Sequence, residues 1–175
     1  LRSGDLDFAI HVEHAGYGEE FRVHSLGSNP LAVLARQGHP LVDRGISWEA
    51  LADYPAIRLY ISDLDQAEIS RNSEAFARVR NPQLGTFETS HLLTALEVLR
   101  NSDYVMPAPS YLLRNPAASE GIAALPMPQG NQQAFRYMLV SHHRSDQSAL
   151  HSWFRERILA SIGEIGEASG IQPVA

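Results

Sequence analysis

Apolar and polar positions change period several times along the chain, and the changes mark its elements. Leu92, Leu93, Leu96 and Leu99 recur at the spacing of one helix face. The polar cluster Glu88-Thr89-Ser90-His91 precedes them and Asn101-Ser102-Asp103 follows. Thr89 or Ser90 is a natural N-cap, because a hydroxyl there can accept a bond from a free amide one turn on. Tyr104-Val105-Met106 then reads as a short buried strand, closed by Pro107 and Pro109. A helix start rich in hydroxyls also suits an anion, so capping and anion binding are the two readings of Thr89 and Ser90.

In chain order, Leu1 to Gly4 reads as the end of a helix with Gly4 as its stop. Phe8-Ala9-Ile10 is a strand, and His11–Glu20 a loop. Phe21–Leu26 and Leu31–Ala35 are extended apolar segments, and Gln37-Gly38-His39-Pro40 is a turn. Ser47 caps a short helix, Trp48–Ala52, which ends before Tyr54-Pro55. Ala56–Tyr60 is a strand, and Ile61-Ser62-Asp63 a polar loop. A helical stretch runs near Asp65–Phe76, and Leu84–Phe87 is a further strand. Past the leucine helix come a short helix near Ser110–Leu113, a strand Gly121–Leu125, and a connection Pro126–Gln133. Ala134–Val140 reads as the longest β run. A last helix starts at Asp146 or Ser148 and carries Leu150, Trp153, Phe154, Ile158 and Ile162 on one face, which predicts a core face. Gly163, Gly166 and Gly170 are expected to end it, with a loose tail to Ala175.

Strands alternating with helices predict an α/β fold with mostly parallel pairing. The 175 residues suffice for one compact domain or two small lobes, and 44% hydrophobic against 19% charged residues allows a packed core. The element order fits two lobes joined near Arg36–Pro40 and Phe135–Ser141. No apolar run approaches the roughly 20 residues that span a bilayer, and no signal peptide pattern opens the chain. The opening LRSGDLD, without a methionine, reads as internal to a longer protein.

There is no cysteine, which excludes disulfides, zinc–thiolate sites and thiol catalysis. All 14 basic residues are arginines, which removes Schiff-base chemistry and a phosphate-loop lysine. The formal charge of −6 makes nonspecific DNA binding by this piece a poor fit. His142-His143 with His151 could suggest a metal. Adjacent histidines in a strand point to opposite faces, though, and the usual ligand spacings are missing. Glu88 and His91 could share a helix face, but two ligands close no site. A G-x-S-x-G elbow, a P-loop and a G-x-G-x-x-G fingerprint are all lacking, so a Ser/His/Asp hydrolase has no motif behind it.

Six pieces of the chain resemble one family. Leu1-x-x-Gly4-x-x-Asp7-Phe8-Ala9-Ile10 is similar to the L-x-x-G-x-L-D-x-A-I signature of LysR-type transcriptional regulators. Gly38-His39-Pro40-Leu41 matches their x-H-P-L turn. Val98–Pro107, VLRNSDYVMP, resembles the V-x-x-S/T-D-L-x-x-x-P form of the branch with nodulation and aromatic-degradation regulators. Ser141-His142-His143-Arg144, Gln147-Ser148-Ala149 and Trp153-Phe154-Arg155 follow the order of that branch's W-H-x-R, D-P-A and W-L-R. The departures are Ser141 or His142 for tryptophan, Ser148 for proline and Phe154 for leucine. The match runs to about Leu159.

The resemblance implies an effector-binding domain with the type 2 periplasmic-binding-protein-like α/β fold. Two lobes with a hinge enclose a cleft, the first lobe being N-terminally truncated by about a strand and a helix. The implied division is residues 1–37 for the first lobe, 38–138 for the second, and 139–175 for the return to the first. Ligands of such sheets sit beyond strand ends where helix N-termini converge. On that basis the cleft residues are His11, Tyr60, Ser62, Thr89, Ser90 and His91, with a small organic ligand, anionic or aromatic. The family further implies a cytoplasmic homodimer or homotetramer that is not an enzyme, with no cofactor, no metal and no membrane partner. DNA is met only through a helix-turn-helix domain outside this chain. A solute-binding protein of a transport system is the alternative. The missing export signal counts against it, although a trimmed mature chain would lack one too.

Overall fold

The computed structural model describes residues 1–13, 16–59, 77, 80–128 and 134–169, with side chains in the last helix as far as Ile162. The predicted helix near Asp65–Phe76, the loop Ile61-Ser62-Asp63 and the tail 170–175 lie outside the described residues. The chain divides into two compact units, residues 1–29 with 135–175, and residues 30–134. The dividing points fall between Asn29 and Pro30, inside the strand Phe21–Arg36 and earlier than the expected Arg36–Pro40, and at Phe135.

Unit 1 holds β1 (Phe8–Val12), the first half of β2 (Phe21–Arg36), β7 (Ala134–His142) and the last helix. β7 lies between β1 and β2, and pairs antiparallel with β1 from Phe8↔Ser141 to Val12↔Tyr137. His11 and Val12 thus extend the strand, and the loop begins after them. Leu1 to Gly4 is a bend rather than a helix end. Gly4 does take a positive φ of 94°, but only one turn-like bond, Gly4 N–H to Leu1 O at 3.3 Å, precedes it.

The last helix, α5 (Ala149–Ser169), begins with Ser148, whose Oγ accepts from the His151 amide at 3.4 Å. It runs through Gly163 and Gly166 instead of ending there. Glycine lowers helix propensity by about 1 kcal/mol but can adopt helical angles, so two glycines weaken a helix without stopping it. Its amphipathic pattern predicted a core face. Instead Leu150, Trp153 and Phe154 remain 69%, 56% and 46% exposed. Phe154 does touch Phe8 edge-on, with ring centroids 5.4 Å apart. Periodicity identifies which side chains share a face; it does not supply the surface that covers them.

β2 is one strand of 16 residues, where two segments were expected, and is longer than β7. Two residues made it look broken. Gly27 takes a φ of 120°, open to glycine, and Pro30 can stand in a strand where no ladder asks for its N–H. Its partner strand Met106–Pro109 starts pairing only at Leu31.

In unit 2, β2 pairs antiparallel on one side with β5 (Met106–Pro109) and on the other with β6 (Ile122–Pro126). β3 (Ala56–Leu59) pairs in parallel with β4 (Thr86–Thr89), and an Ala56↔Val105 bridge ties β3 to the residue before β5. Among the described residues antiparallel ladders therefore outnumber the parallel one, against the expectation. β5 includes Pro107 and Pro109, which were expected to close it. β4 starts two residues later than the pattern suggested.

The apolar run Leu31–Ala35 is explained by burial on both faces of β2. Ala32 and Leu34 point into one cluster with Ile57, Ala95, Leu96, Leu99 and Met106. Val33 and Ala35 point into another with Leu41, Leu51, Ala56 and Val105. The first is roofed by α3 (Leu92–Arg100), the second by α1 (Pro40–Arg44) and α2 (Trp48–Leu51). Ser47 caps α2 as expected, its Oγ accepting from the Ala50 amide at 3.1 Å. The Gln37–Pro40 turn also forms, with Gly38 at φ 72° and His39 as the N-cap of α1. A 3-10 turn (Ser110–Arg114) and α4 (Pro116–Ser119) link β5 to β6. No described helix is long and apolar enough to cross a membrane.

Candidate functional site

The junction of β4 and α3 is built by the parallel register of β3 and β4. Leu59 stands opposite Thr89, and Ile57 opposite Phe87. Leu59 and Phe87 pack with Leu92 of α3 on the first cluster, which fixes the helix start over the C-terminal ends of the two strands. Parallel strands end together, so the following segments of both emerge at one edge.

Neither Thr89 nor Ser90 caps the helix. His91 occupies the N-cap position and makes no side-chain cap bond. The Thr89 Oγ1 is engaged one step earlier, accepting from the His91 amide at 3.1 Å. The first intrahelical bond runs from the Ala95 amide to His91 O at 3.1 Å. Among the described residues no side chain accepts from the amides of Leu92, Leu93 and Thr94, the usual deficit of an uncapped first turn. Ser90 and His91 are exposed beside them, and Ser90 Oγ has no partner among the described residues.

Glu88 would oppose an anion here if its charge were unmatched. It stands opposite Arg58, and the two side chains approach to 3.4 Å. Strand alternation sends Glu88 and Thr89 to opposite faces, so the carboxylate lies on the other side of the sheet from α3. Which arginine answers Glu88 is visible only in the β3–β4 register, which sets Arg58 opposite it.

The other candidate residues are distributed differently. His11 lies in β1 opposite Met138, in unit 1; its Nδ1–H donates to Val12 O at 2.7 Å and its ring meets Tyr17 at 5.6 Å. Tyr60 and Ser62 lie outside the described residues. Thr89, Ser90 and His91 are thus brought together by the structure, and no distance joins the other three to them.

Two further polar constellations were not foreseen. In unit 1 the Asp146 carboxylate accepts from Arg22 Nε and Nη2 at 3.0 and 2.6 Å, and from His143 Nδ1 at 2.9 Å. These bonds hold its pKa far below the usual carboxylate range. Near the start of α5, Ser148 Oγ lies 2.7 Å from His151 Nδ1, whose Nε2 lies 3.1 Å from Asp7 Oδ1. This sequence of contacts mimics a hydrolytic triad only in residue types. The hydroxyl and carboxylate are on the wrong nitrogens, and Ser148 is occupied as a cap, so the arrangement ties α5 to the segment before β1. In unit 2 an open pocket of about 290 Å³ lies between α1 and α2, lined by Leu41, Ile46 and Tyr54 with Arg44 and Asp53. It contains none of the residues singled out in the sequence. Among the described residues no group of three or more acidic, histidine or cysteine side chains could hold a metal.

Comparison with known proteins accounts for this architecture. The family model described as the LysR substrate binding domain matches residues 1–162. The Pseudomonas aeruginosa protein PA0477 superposes with a TM-score of 0.68 at 23% identity, over 98% of this chain and 52% of that one. The regulatory domain of MexT, a transcriptional activator of the same organism, gives 0.68 at 16% identity over 91% and 74%. The BenM effector binding domain with its effector benzoate gives 0.66 at 12% identity over 99% and 75%. The chain thus spans about half the length of the first of these. No curated protein matches it. Identities this low speak for the fold alone; the family model speaks for membership. The transport alternative finds no support among these structures. The chain belongs to the LysR substrate-binding domain family, a type 2 periplasmic-binding-protein-like α/β fold that serves as the effector-binding regulatory domain of transcriptional regulators.

Proposed function

We propose that this domain senses a small organic anion, and that the anionic end binds at the start of α3. The observation that carries the reading is the uncapped first turn: among the described residues its three amides have no side-chain acceptor, and the exposed hydroxyl of Ser90 beside them has no partner. A carboxylate there would receive charge-assisted bonds and the favourable end of the helix dipole. Thr89 Oγ1 is spent as an acceptor, yet its hydrogen can still be donated. His91 can donate a ring N–H to the bound anion. His11, Tyr60 and Ser62 join the proposal through the family resemblance and not through a measured distance. Benzoate, which the BenM domain holds, is the natural first probe.

Isothermal calorimetry on the full-length regulator tests the site. Ser90→Ala is expected to weaken binding by roughly 1–2 kcal/mol, about five- to thirtyfold, through a lost hydrogen bond. Its melting temperature should stay near that of the parent, since Ser90 caps nothing. Unchanged affinity for every anion bound by the parent would remove Ser90 from the site.

The same reading proposes a cytoplasmic regulator that assembles as a homodimer or homotetramer. It meets DNA through a helix-turn-helix domain outside this chain. The ligand would act by binding one arrangement of the assembly better than another. The exposed Leu150, Trp153 and Phe154 supply an apolar face suited to such association. Sedimentation is expected to show mass rising with concentration, less so in Trp153→Glu. A strictly monomeric profile at high concentration contradicts it.

A further inference from the structure

His24 stands on β2 among charges that do not balance. Arg22, two residues back on the same strand, forks onto Asp146, and His143 gives its Nδ1–H to the same carboxylate. Arg155 reaches in from α5. Its Nη1 is 3.9 Å from Asp146 Oδ1 and makes no hydrogen bond, and its Nη2 meets only the neutral Ser152 hydroxyl at 3.3 Å. That side chain is just 16% exposed. The His24 Nε2 is buried with no hydrogen-bond partner, and so is the Ser141 Oγ of β7. One carboxylate therefore answers two guanidinium groups, and a proton on His24 would add a third positive charge with no anion left to receive it. Buried polar atoms without partners are uncommon enough to call for an explanation, and here two of them belong to the groups that would repel each other.

We propose that His24 is a proton-operated latch for α5. Neutral, it lets Asp146 hold Arg22 on β2 and Arg155 on α5 at once, which keeps the first turns of the helix seated on unit 1. Protonated, it repels both arginines and loosens the helix.

The electrostatics agree with the geometry. Burial, then Arg155 and Arg22, hold the His24 pKa below its ordinary value, and only Asp146 opposes them. Asp146 stays ionised throughout the range where histidines titrate, so it contributes no acid step of its own there. A base whose folded pKa is depressed is protonated first in the loosened state. The seated form is fully favoured above the free histidine value of 6.5 and loses ground as pH falls from there toward the folded value. The loss is tenfold in the seated-to-loosened ratio for each unit of depression. Other histidines face the same region: His143 on Asp146, His151 between Ser148 and Asp7, and His142, whose Nδ1 accepts from the Arg144 amide at 3.1 Å. They serve as controls.

Amide hydrogen exchange of α5 in the 175-residue chain tests the latch, read at about pH 7.5 and about pH 5, on either side of the histidine range, with intrinsic rates divided out. The parent is expected to lose protection in α5 on acidification, His151→Gln to lose it similarly, and His24→Gln to lose little or none. Arg155→Gln removes a cation beside His24, so its acid step should move up toward the ordinary histidine value. An acid loss in His24→Gln equal to the parent's overturns the proposal. If His24→Gln proves unfolded at both pH values, the Arg155→Gln midpoint decides, and an unmoved midpoint overturns it.

Discussion

Leu96→Ala is expected to destabilise unit 2 by about 2–5 kcal/mol, measured as a fall in the denaturant midpoint at unchanged slope. Leu96 is fully buried at the centre of the cluster formed by Leu34, Ile57, Leu99 and Met106. Truncation removes roughly three carbons' worth of apolar transfer energy and leaves a cavity that a sheet and a helix cannot both collapse to fill. Leu93 is the internal control. It is three residues earlier on the same helix and 75% exposed, so Leu93→Ala should change stability by less than about 0.5 kcal/mol. The comparison also separates fold from site. Leu96 holds α3, and hence its first-turn amides, in place over β3 and β4. Loss of anion binding in Leu96→Ala should therefore track loss of folded protein, while any loss in Leu93→Ala would report contact with the ligand. Equal stability losses at the two positions would mean that α3 is seated on the opposite face.

The difference between those two leucines shows what the residue pattern could and could not tell. The spacing of Leu92, Leu93, Leu96 and Leu99 locates the helix, and Leu96 and Leu99 are buried because a helix in an α/β unit has a sheet to cover, but Leu93, expected on the same face, is exposed. The same logic failed at α5. Trp153 and Phe154 keep an equally clear period, yet apart from the edge contact of Phe154 with Phe8 the described part of unit 1 leaves them about half exposed, and a period carries no information about partners. β2 was divided at Gly27 and Pro30 because both are local breakers, whereas a strand's persistence is set by its neighbours along the ladder. At the candidate site the helix start was legible, but the assignment of the cap was not. Thr89 and Ser90 were the N-cap candidates by composition. The end of the β3–β4 ladder at Thr89 moves the cap to His91 and sends the threonine hydroxyl to the His91 amide instead. The partners of Glu88 and Asp146 were likewise hidden, since Arg58 and Arg22 reach them across 30 and 124 residues of chain, and only register or tertiary packing brings them together.

His39→Ala is expected to cost unit 2 about 2–4 kcal/mol, from two hydrogen-bonding groups left without partners and one lost aromatic contact. The ring is fully buried and both nitrogens are used. Nδ1 accepts from the Leu41 amide at 3.1 Å, which starts α1, and Nε2–H donates to Asp103 O at 3.3 Å, beyond the end of α3. Tyr54 packs edge-on at 4.4 Å between centroids. Only the neutral imidazole with its proton on Nε2 satisfies this geometry, because a second proton on Nδ1 would face the Leu41 N–H. Burial accordingly holds the His39 pKa below its ordinary value, against the opposing pull of Asp103. The sign follows as for any base depressed in the folded state. Stability is complete above the free value near 6.5 and declines as pH falls from there toward the folded pKa. Trp48 packs on the same cluster as Leu41 and Tyr54, and the chain's other tryptophan, Trp153, belongs to unit 1. Denaturation followed through Trp48 in a Trp153→Phe background should therefore show an acid-dependent midpoint that His39→Gln flattens. Gln offers one acceptor and one donor and can keep part of the tie between Leu41 and Asp103, so it should retain more stability than Ala at neutral pH. A midpoint that falls as steeply with acid in His39→Gln as in the parent would place the acid sensitivity of unit 2 elsewhere.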